Sequence, residues 1–289
     1  MGPSVPAIAG LSSRAQAGRD ISRSTFSLSR GMCSLRGHGS GPVTKGWVVA
    51  MKRFDGVQAV TYDCWGTLLK DRDHLGAHEI RSSALRRFLD INEDEANALL
   101  DEAWSRHDEA WKQIESFGAG RMAAYCLEAR GISDDESIRE LTKDFEESSL
   151  QGGVEAVEGA RETLETLRSR GLRIGLISDT GFTSGHIVQK LLEEESLAAS
   201  IEVFCFSDQV GVPKPGAEIF AKALAGLGAR PPEACHVGDL KRTDIAGAHH
   251  VGMHAVRFRG VHDDLSDTVE AGCVIDRHEQ ILECLNLDD

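Results

Sequence analysis

Nothing in the sequence approaches about 18 uninterrupted apolar residues, the length a helix needs to span a bilayer, so no membrane span is expected. There is no Cys-x-x-Cys pair. The seven cysteines are scattered and odd in number, which fits neither a disulfide framework nor a zinc ribbon. They read instead as small buried hydrophobes in a reducing compartment. A secretory signal is also missing, because no compact apolar core is followed by a cleavage site. No internal repeat or low-complexity run follows residue 50. Acid is nearly absent from residues 1–50, where Arg14, Arg19, Arg23, Arg30, Arg36 and Lys45 face Asp20 alone, for a net +5. With −14 overall, the remainder carries −19. A body this acidic repels nucleic acid and anionic lipid at long range, so neither is expected as a partner. An anionic ligand would have to be held locally, by a metal ion, a lysine or backbone amides.

What is present is an ordinary globular composition: 289 residues, 41% hydrophobic and 27% charged, enough for one large domain or two smaller ones. Residues 1–50 are rich in Ser, Gly and Arg with weak periodicity, and are expected to be a disordered or targeting extension. Two readings fit them: an organelle transit segment, or an over-extended start with translation beginning at Met51, just ahead of the first strand. The expected location is cytoplasmic, with organelle targeting by residues 1–50 as the alternative.

From residue 57, "VQAVTYD" is an apolar, β-prone run ending in Asp63 and a glycine turn at Gly66. Residues 72–152 then read as helix throughout. Ile80, Leu85, Phe88 and Leu89 share one face of the first helix; Ala98, Leu99, Ala103, Ala110 and Ile114 lie on or near one face of the second. Trp104 and Trp111 are expected in the core or on a face of this block. Gly131 stops a third helix, and Ser133 to Glu136 reads as a capping box opening a fourth. After residue 153 the rhythm changes to strand and helix in alternation: "LRIGLIS", "IEVFCFS", "ACHVGD", "MHAVRFRG" and "CVID" separated by helical segments, the last of them "HEQILECL". That spacing implies parallel strands with right-handed crossovers, an α/β doubly wound, Rossmann-like sheet that includes the first strand. The helical block is thus an insertion after strand one. The expected division is 51–71 with 153–289 as the α/β core and 72–152 as a helical insert.

In such a sheet ligands bind beyond the carboxyl ends of the strands. Asp63 ends the first strand, Ser178 and Asp179 the second long one, and Ser207 and Asp208 the next, with Lys214 shortly after. Gly238 and Asp239 end "ACHVGD", and Asp244 opens the following helix. Taken singly, each has a plain structural role as a cap, a turn or a surface charge. His236, within its strand, and His249 and His250, near a helix end, also read as structural. The order of the set is what carries information. "DCWGTLL" at 63–69, "LISDTG" at 176–181, "GVPKP" at 211–215 and "HVGDLKRTDIAGAHHVGM" at 236–253 together resemble the haloacid dehalogenase superfamily of phosphatases and related hydrolases, over about residues 57–286.

The resemblance implies a helical cap domain at 72–152, in the subgroup where the cap follows the first strand. It implies a hydrolase with Asp63 as nucleophile and Lys214 as the charge-balancing catalytic lysine. Ser178, Asp179, Lys214, Gly66 and Thr67 would bind the substrate anion. Asp63, the Trp65 backbone carbonyl, Asp239 and Asp244 would hold Mg²⁺. The expected substrate is a small phosphorylated metabolite and the expected assembly a monomer or homodimer. Elementary electrostatics agrees: three close carboxylates cannot all stay ionised unless cations sit among them, and Mg²⁺ prefers hard oxygen donors.

Position 65 departs from the pattern. Phosphatases of the family usually carry there a second aspartate that protonates the leaving group. Tryptophan cannot transfer a proton, and general acid–base help is worth about 10² to 10⁴ in rate. In the dehalogenases of the family this position is aromatic too, and halide needs no proton; yet "GDLKRTD" resembles the metal-binding form of the last motif. Three readings follow: a phosphatase whose acid comes from Asp71, Asp73 or His74 or whose substrate needs none, a 2-haloacid dehalogenase-like hydrolase, or a catalytically weak member that binds a phosphorylated ligand.

Overall fold

A computed structural model describes residues 52–72 and 76–287. All belong to the second of two compact units, Val49–Asp289. The reading of residues 1–50 lies outside the described residues.

The chain enters the core as β1 (Ala59–Tyr62), in which every residue is buried. An unbroken apolar run of this kind marks a strand covered on both faces, as parallel sheets are. β2 (Leu69–Asp71) follows the Asp63 loop. Four helices come next: α1 (Gly76–Leu89), α2 (Glu93–Lys112), α3 (Ala119–Glu128) and α4 (Asp135–Gln151). The chain returns as β3 (Val154–Ala156), which pairs antiparallel with β2, Leu69 opposite Ala156 and Asp71 opposite Val154. Alternation then sets in: α5 (Ala160–Ser169), β4 (Arg173–Ser178), α6 (Gly185–Glu194), β5 (Val203–Phe206), the short α7 (Ser207–Val210), α8 (Ala217–Leu227), β6 (Ala234–Gly238), α9 (Ala246–Val251), β7 (His254–Phe258), β8 (Cys273–Ile275) and α10 (Ile281–Cys284).

Six strands form one parallel sheet in the order β5-β4-β1-β6-β7-β8. β1 lies inside it, with β4 and β5 to one side and β6, β7 and β8 to the other. The chain reverses its direction of winding around β1, and the crevice at such a reversal is where open α/β sheets bind ligands. Helices cover both faces. Val60, Ile174, Leu176 and Val237 pack with Leu164, Val188 and Leu191 on one side. Ala59, Ile177 and Ala255 pack with Ile219, Phe220 and Ala248 on the other. The Rossmann-like α/β fold expected from the strand–helix alternation is the fold observed.

The four helices have a core of their own, with Leu85, Leu100, Met122, Leu127, Leu141 and Phe145 at its centre and Phe182 of the main fold packed into it. Several local readings need correction. The buried face of α2 runs through Ala96, Leu100, Ala103 and His107; of the expected set Ala103 is buried and Leu99 packs at the edge of the core, while Ala98 and Ile114 are exposed. The cap of α4 is Asp134, one residue beyond Ser133, with its side chain accepting from the Ser137 amide; both residue types cap well, so sequence alone left the frame ambiguous. Instead, α2 has the full capping box, Asn92 with Glu95. The helix read from Arg242 begins with a π-helical turn, Lys241–Ile245, before α9. Cys273 and Cys284, expected as free thiols, form a disulfide across β8 and α10. Their pairing arises from tertiary adjacency that the scattered spacing did not signal. Cys64, Cys126, Cys205 and Cys235 are free and buried, as expected.

Candidate active site

Asp63 leaves β1 at its carboxyl end, its amide donating to the Val237 carbonyl of the neighbouring strand. The loop after it folds on Cys64, whose carbonyl accepts from the amides of Leu68 and Leu69. Gly66 turns the chain at φ +75°, and a Cβ there would lie 2.8 Å from Asp239 Oδ2. Glycine is required twice over, by the left-handed backbone and by the carboxylate against it.

Lys214 is almost fully buried. Its Nζ donates to Asp63 Oδ1 at 2.5 Å and to Asp244 Oδ1 at 2.7 Å. Asp239 completes the group, and one carboxylate oxygen from each of Asp63, Asp239 and Asp244 lies within 4.8 Å of the others. Burial pushes the Asp63 carboxyl up to about 6, with Lys214 opposing and Asp244 adding to the rise. Burial and the neighbouring Asp63 and Asp244 charges push Asp239 up to about 8. Burial works the same way on Asp244, but Lys214 and His236 outweigh it and hold that carboxyl well below the usual range. Lys214 is itself opposed by burial, and the three surrounding aspartates raise it above an ordinary lysine.

Asp244 is the most fully committed of the acids. His236 Nε2 donates to its Oδ1 at 3.1 Å, and the Leu240 amide donates to its Oδ2 at 3.0 Å. With Nε2 protonated, His236 Nδ1 accepts from the Thr61 hydroxyl at 2.8 Å. A buried chain therefore runs Thr61, His236, Asp244, Lys214, Asp63. His236 had read as merely structural; its place in a strand beside the motif gave no hint of this link.

Asp179 joins the site from the end of β4. Its Oδ1 accepts from the Lys214 amide at 2.8 Å, and its Oδ2 accepts from Trp111 Nε1 of α2 at 2.8 Å. Arg242 of the π-helical turn lies over the Trp111 ring, 4.0 Å from its centroid. Burial raises the Asp179 carboxyl, and Lys214 offsets part of the rise.

These groups open on a cavity of about 360 Å³. Of the residues expected at the site, Asp63, Trp65, Asp179, Lys214, Asp239 and Asp244 line it. Ser178 lies behind it, fully buried, with its hydroxyl donating to the Asp179 carbonyl at 3.1 Å. The Gly66 amide is committed to the Leu69 carbonyl. Thr67 is fully buried, and its hydroxyl has no partner among the described residues. Asp71 lines the cavity, while Asp73 and His74 lie outside the described residues. Arg81, His107, Trp104, Trp111 and Phe182 also line it. The two tryptophans had read as core or face of the helical block; a spacing of seven residues shows that two side chains share a helix face and not what that face meets.

A divalent cation fits the donor set. Asp63 and Asp239 are hard oxygen donors whose carboxyls are both pushed up by burial, and a cation among them would relieve that cost. Asp244, with both oxygens already hydrogen-bonded, is suited to holding Lys214 in place.

A family model for haloacid dehalogenase-like hydrolases matches residues 77–258. The chain belongs to that family. It is a hydrolase, and its relatives include phosphatases. Haloacid dehalogenase-like hydrolase domain-containing protein 3 of Xenopus laevis is 27% identical over 210 residues, 69% of this chain and 83% of that protein. Glyceraldehyde 3-phosphate phosphatase of Pyrococcus furiosus is 38% identical over 139 residues, 46% of this chain and 55% of that enzyme. The fold is also that of a HAD phosphatase from Thermococcus onnurineus, with a TM-score of 0.57 at 24% identity over 78% of this chain and 97% of that one. No described helix of this hydrolase is long and apolar enough to cross a membrane.

Proposed function

We propose that this hydrolase is a Mg²⁺-dependent phosphatase of small phosphorylated molecules, with Asp63 as nucleophile. The observation that carries the reading is the buried Lys214 bridging Asp63 and Asp244 beside Asp239. A dehalogenation site has no need of two further carboxylates beside the nucleophile; extra acid there repels an anionic substrate unless a metal offsets it. Phosphatases among the relatives support the same choice.

In this reading Asp63 and Asp239, with the Trp65 carbonyl, hold the cation, and Asp244 steadies the group through Lys214. A cation held there would offset charge on the transferring phosphoryl group. Lys214 orients Asp63 and keeps it ionised below neutral pH. Asp63 attacks phosphorus, the bond to the leaving oxygen breaks, and water then hydrolyses the aspartyl phosphate. The α1–α4 block acts as a cap that covers the cavity and limits water. Ser178 and Asp179 steady the loop that faces the substrate anion.

The test is a panel of phosphate esters and 2-haloacids, assayed for phosphate and for halide with Mg²⁺ and with chelator. Mg²⁺-stimulated phosphate release, abolished in Asp63→Asn, is the expected result. Halide release in chelator would establish a dehalogenase instead. Ligand-induced thermal stabilisation with no turnover would establish a binding protein.

A further inference from the structure

A row of rings lines the cavity on the side of the helical insert. Phe182, Trp104, His107 and Trp111 follow one another with centroids 5.9, 4.8 and 6.4 Å apart and interplanar angles of 14°, 29° and 17°. Trp104, His107 and Trp111 recur on α2 at helical spacing, so one face of that helix presents three of the rings, and Phe182 of the main fold extends the row. Trp104 is 50% exposed, unusual for an indole in a well-packed helical block. It rests on the backbone of Gly181, where a Cβ would lie 3.0 Å from its ring. Trp65, on the loop of Asp63, lines the same cavity. The rings stack on one another, with Arg81 over Phe182 and Arg242 over Trp111, and Asp63 lines the same cavity as this aromatic row.

Apart from Lys214 and the carboxylates beside it, the described titratable side chains lining the cavity are already engaged. Trp65 occupies the position of the acid. His107 donates Nδ1–H to the Phe117 carbonyl at 2.8 Å, so its other nitrogen is an acceptor; burial lowers its basicity further. His78 lies beside Asn97, with Nε2 3.2 Å from Oδ1. Asp71 interacts electrostatically with the Arg81 guanidinium.

We infer that the phosphatase acts on phosphate esters of planar conjugated alcohols, aryl or enol phosphates whose leaving oxygen is stable as an anion. This rests on the phosphatase reading above and names its substrate class. Asp63 forms the bond to phosphorus. The phosphorus–oxygen bond to the ring breaks with its electron pair left on the aryl oxygen, and that phenolate takes a proton from water after it leaves. Water then attacks the aspartyl phosphate, giving inorganic phosphate and the free carboxylate. No enzyme acid is needed in the first half. The ring of the substrate lies against this aromatic row at the half-exposed Trp104, where apolar and edge contacts contribute to binding. A sugar phosphate could rest on the same wall, but it would depart as an alkoxide with no acid at position 65 to help it.

The test has a kinetic and a binding arm. With Mg²⁺, kcat/KM is measured for a graded series of phenyl phosphates and for alkyl and sugar phosphates. The expected result is a steep fall with leaving-group basicity, leaving alkyl esters about 10²-fold or more behind phenyl phosphate. That gap should narrow in Trp65→Asp. Equal rates for alkyl and phenyl esters overturn the inference, as does a shallow series that becomes steep in Asp71→Asn, which would make Asp71 the acid. In the binding arm, phenylphosphonate and methylphosphonate are titrated calorimetrically into Asp63→Asn. Phenylphosphonate is expected to bind about tenfold more tightly, and adding Trp104→Ala should remove about that factor. Equal affinities overturn the inference. If no ester is turned over, the phosphatase reading fails by itself, and the phosphonate comparison still decides what the cavity accepts.

Discussion

Lys214 is a cation surrounded by acids, and its removal exposes what it holds together. In Lys214→Met the carboxylates of Asp63, Asp239 and Asp244 would be left within 4.8 Å of one another. Removing one partner of a buried ion pair costs about 3–5 kcal/mol, so denaturant unfolding of the metal-free variant should show a loss of that order, partly restored by Mg²⁺. No loss would mean that the acids are already neutral without the lysine. Gly66→Ala should act differently. It forces a side chain into the left-handed region at about 1–2 kcal/mol and presses Asp239 away from the cluster. Mg²⁺ titration should show weakened uptake beyond what the stability loss explains; unchanged uptake would remove Asp239 from the metal site. At this scale Asp63, Lys214, Asp239 and Asp244 were legible because each ends or follows a strand in a fixed order. His236 and Thr61 were not. Their link to Asp244 depends on the register of β1 against β6, Thr61 opposite His236, which no local pattern encodes.

Between elements, α2 meets the main fold through Trp111, whose indole binds Asp179 while Asp179 holds the Lys214 amide. Trp111→Phe keeps a ring for Arg242 to cover and deletes only the N–H. An acceptor left short of a buried partner costs about 1–3 kcal/mol. Turnover is therefore expected to fall about tenfold with an unchanged circular dichroism spectrum; unaltered kcat/KM would show that the insert does not help to place Lys214. The strand–helix alternation made the parallel sheet legible. The β2–β3 ribbon escaped notice because strands of three residues, separated by the whole helical block, carry no periodicity of their own. The face of α2 was misplaced because alanines and leucines occur on several sides of it, so the apolar pattern fits more than one frame.

Across the main fold, the segment ahead of α10 closes back on the loop after β1. His278 Nε2 donates to the Thr67 carbonyl of the loop after β1 at 2.9 Å, and its ring stacks on Phe258. Burial lowers the imidazole from 6.5 to about 4. An unfolded chain takes up this proton near pH 6.5, whereas the native protein refuses it until about pH 4. The histidine thus contributes stability above the unfolded value that is lost as pH falls through that window, about 3 kcal/mol in all. Denaturant unfolding at pH 7 and near pH 4.5 should show a smaller acid loss in His278→Gln than in the unaltered protein. Equal losses would place the titration elsewhere. One consequence of the ribbon remains. Since Asp71 and Val154 stand opposite each other, the chain departs for the four helices and comes back through a single doorway. Excising everything between and bridging the gap with a tight hairpin should leave a smaller, self-sufficient enzyme. That miniature would keep Asp63, Lys214, Asp239 and Asp244 together while losing the α2 side of the cavity.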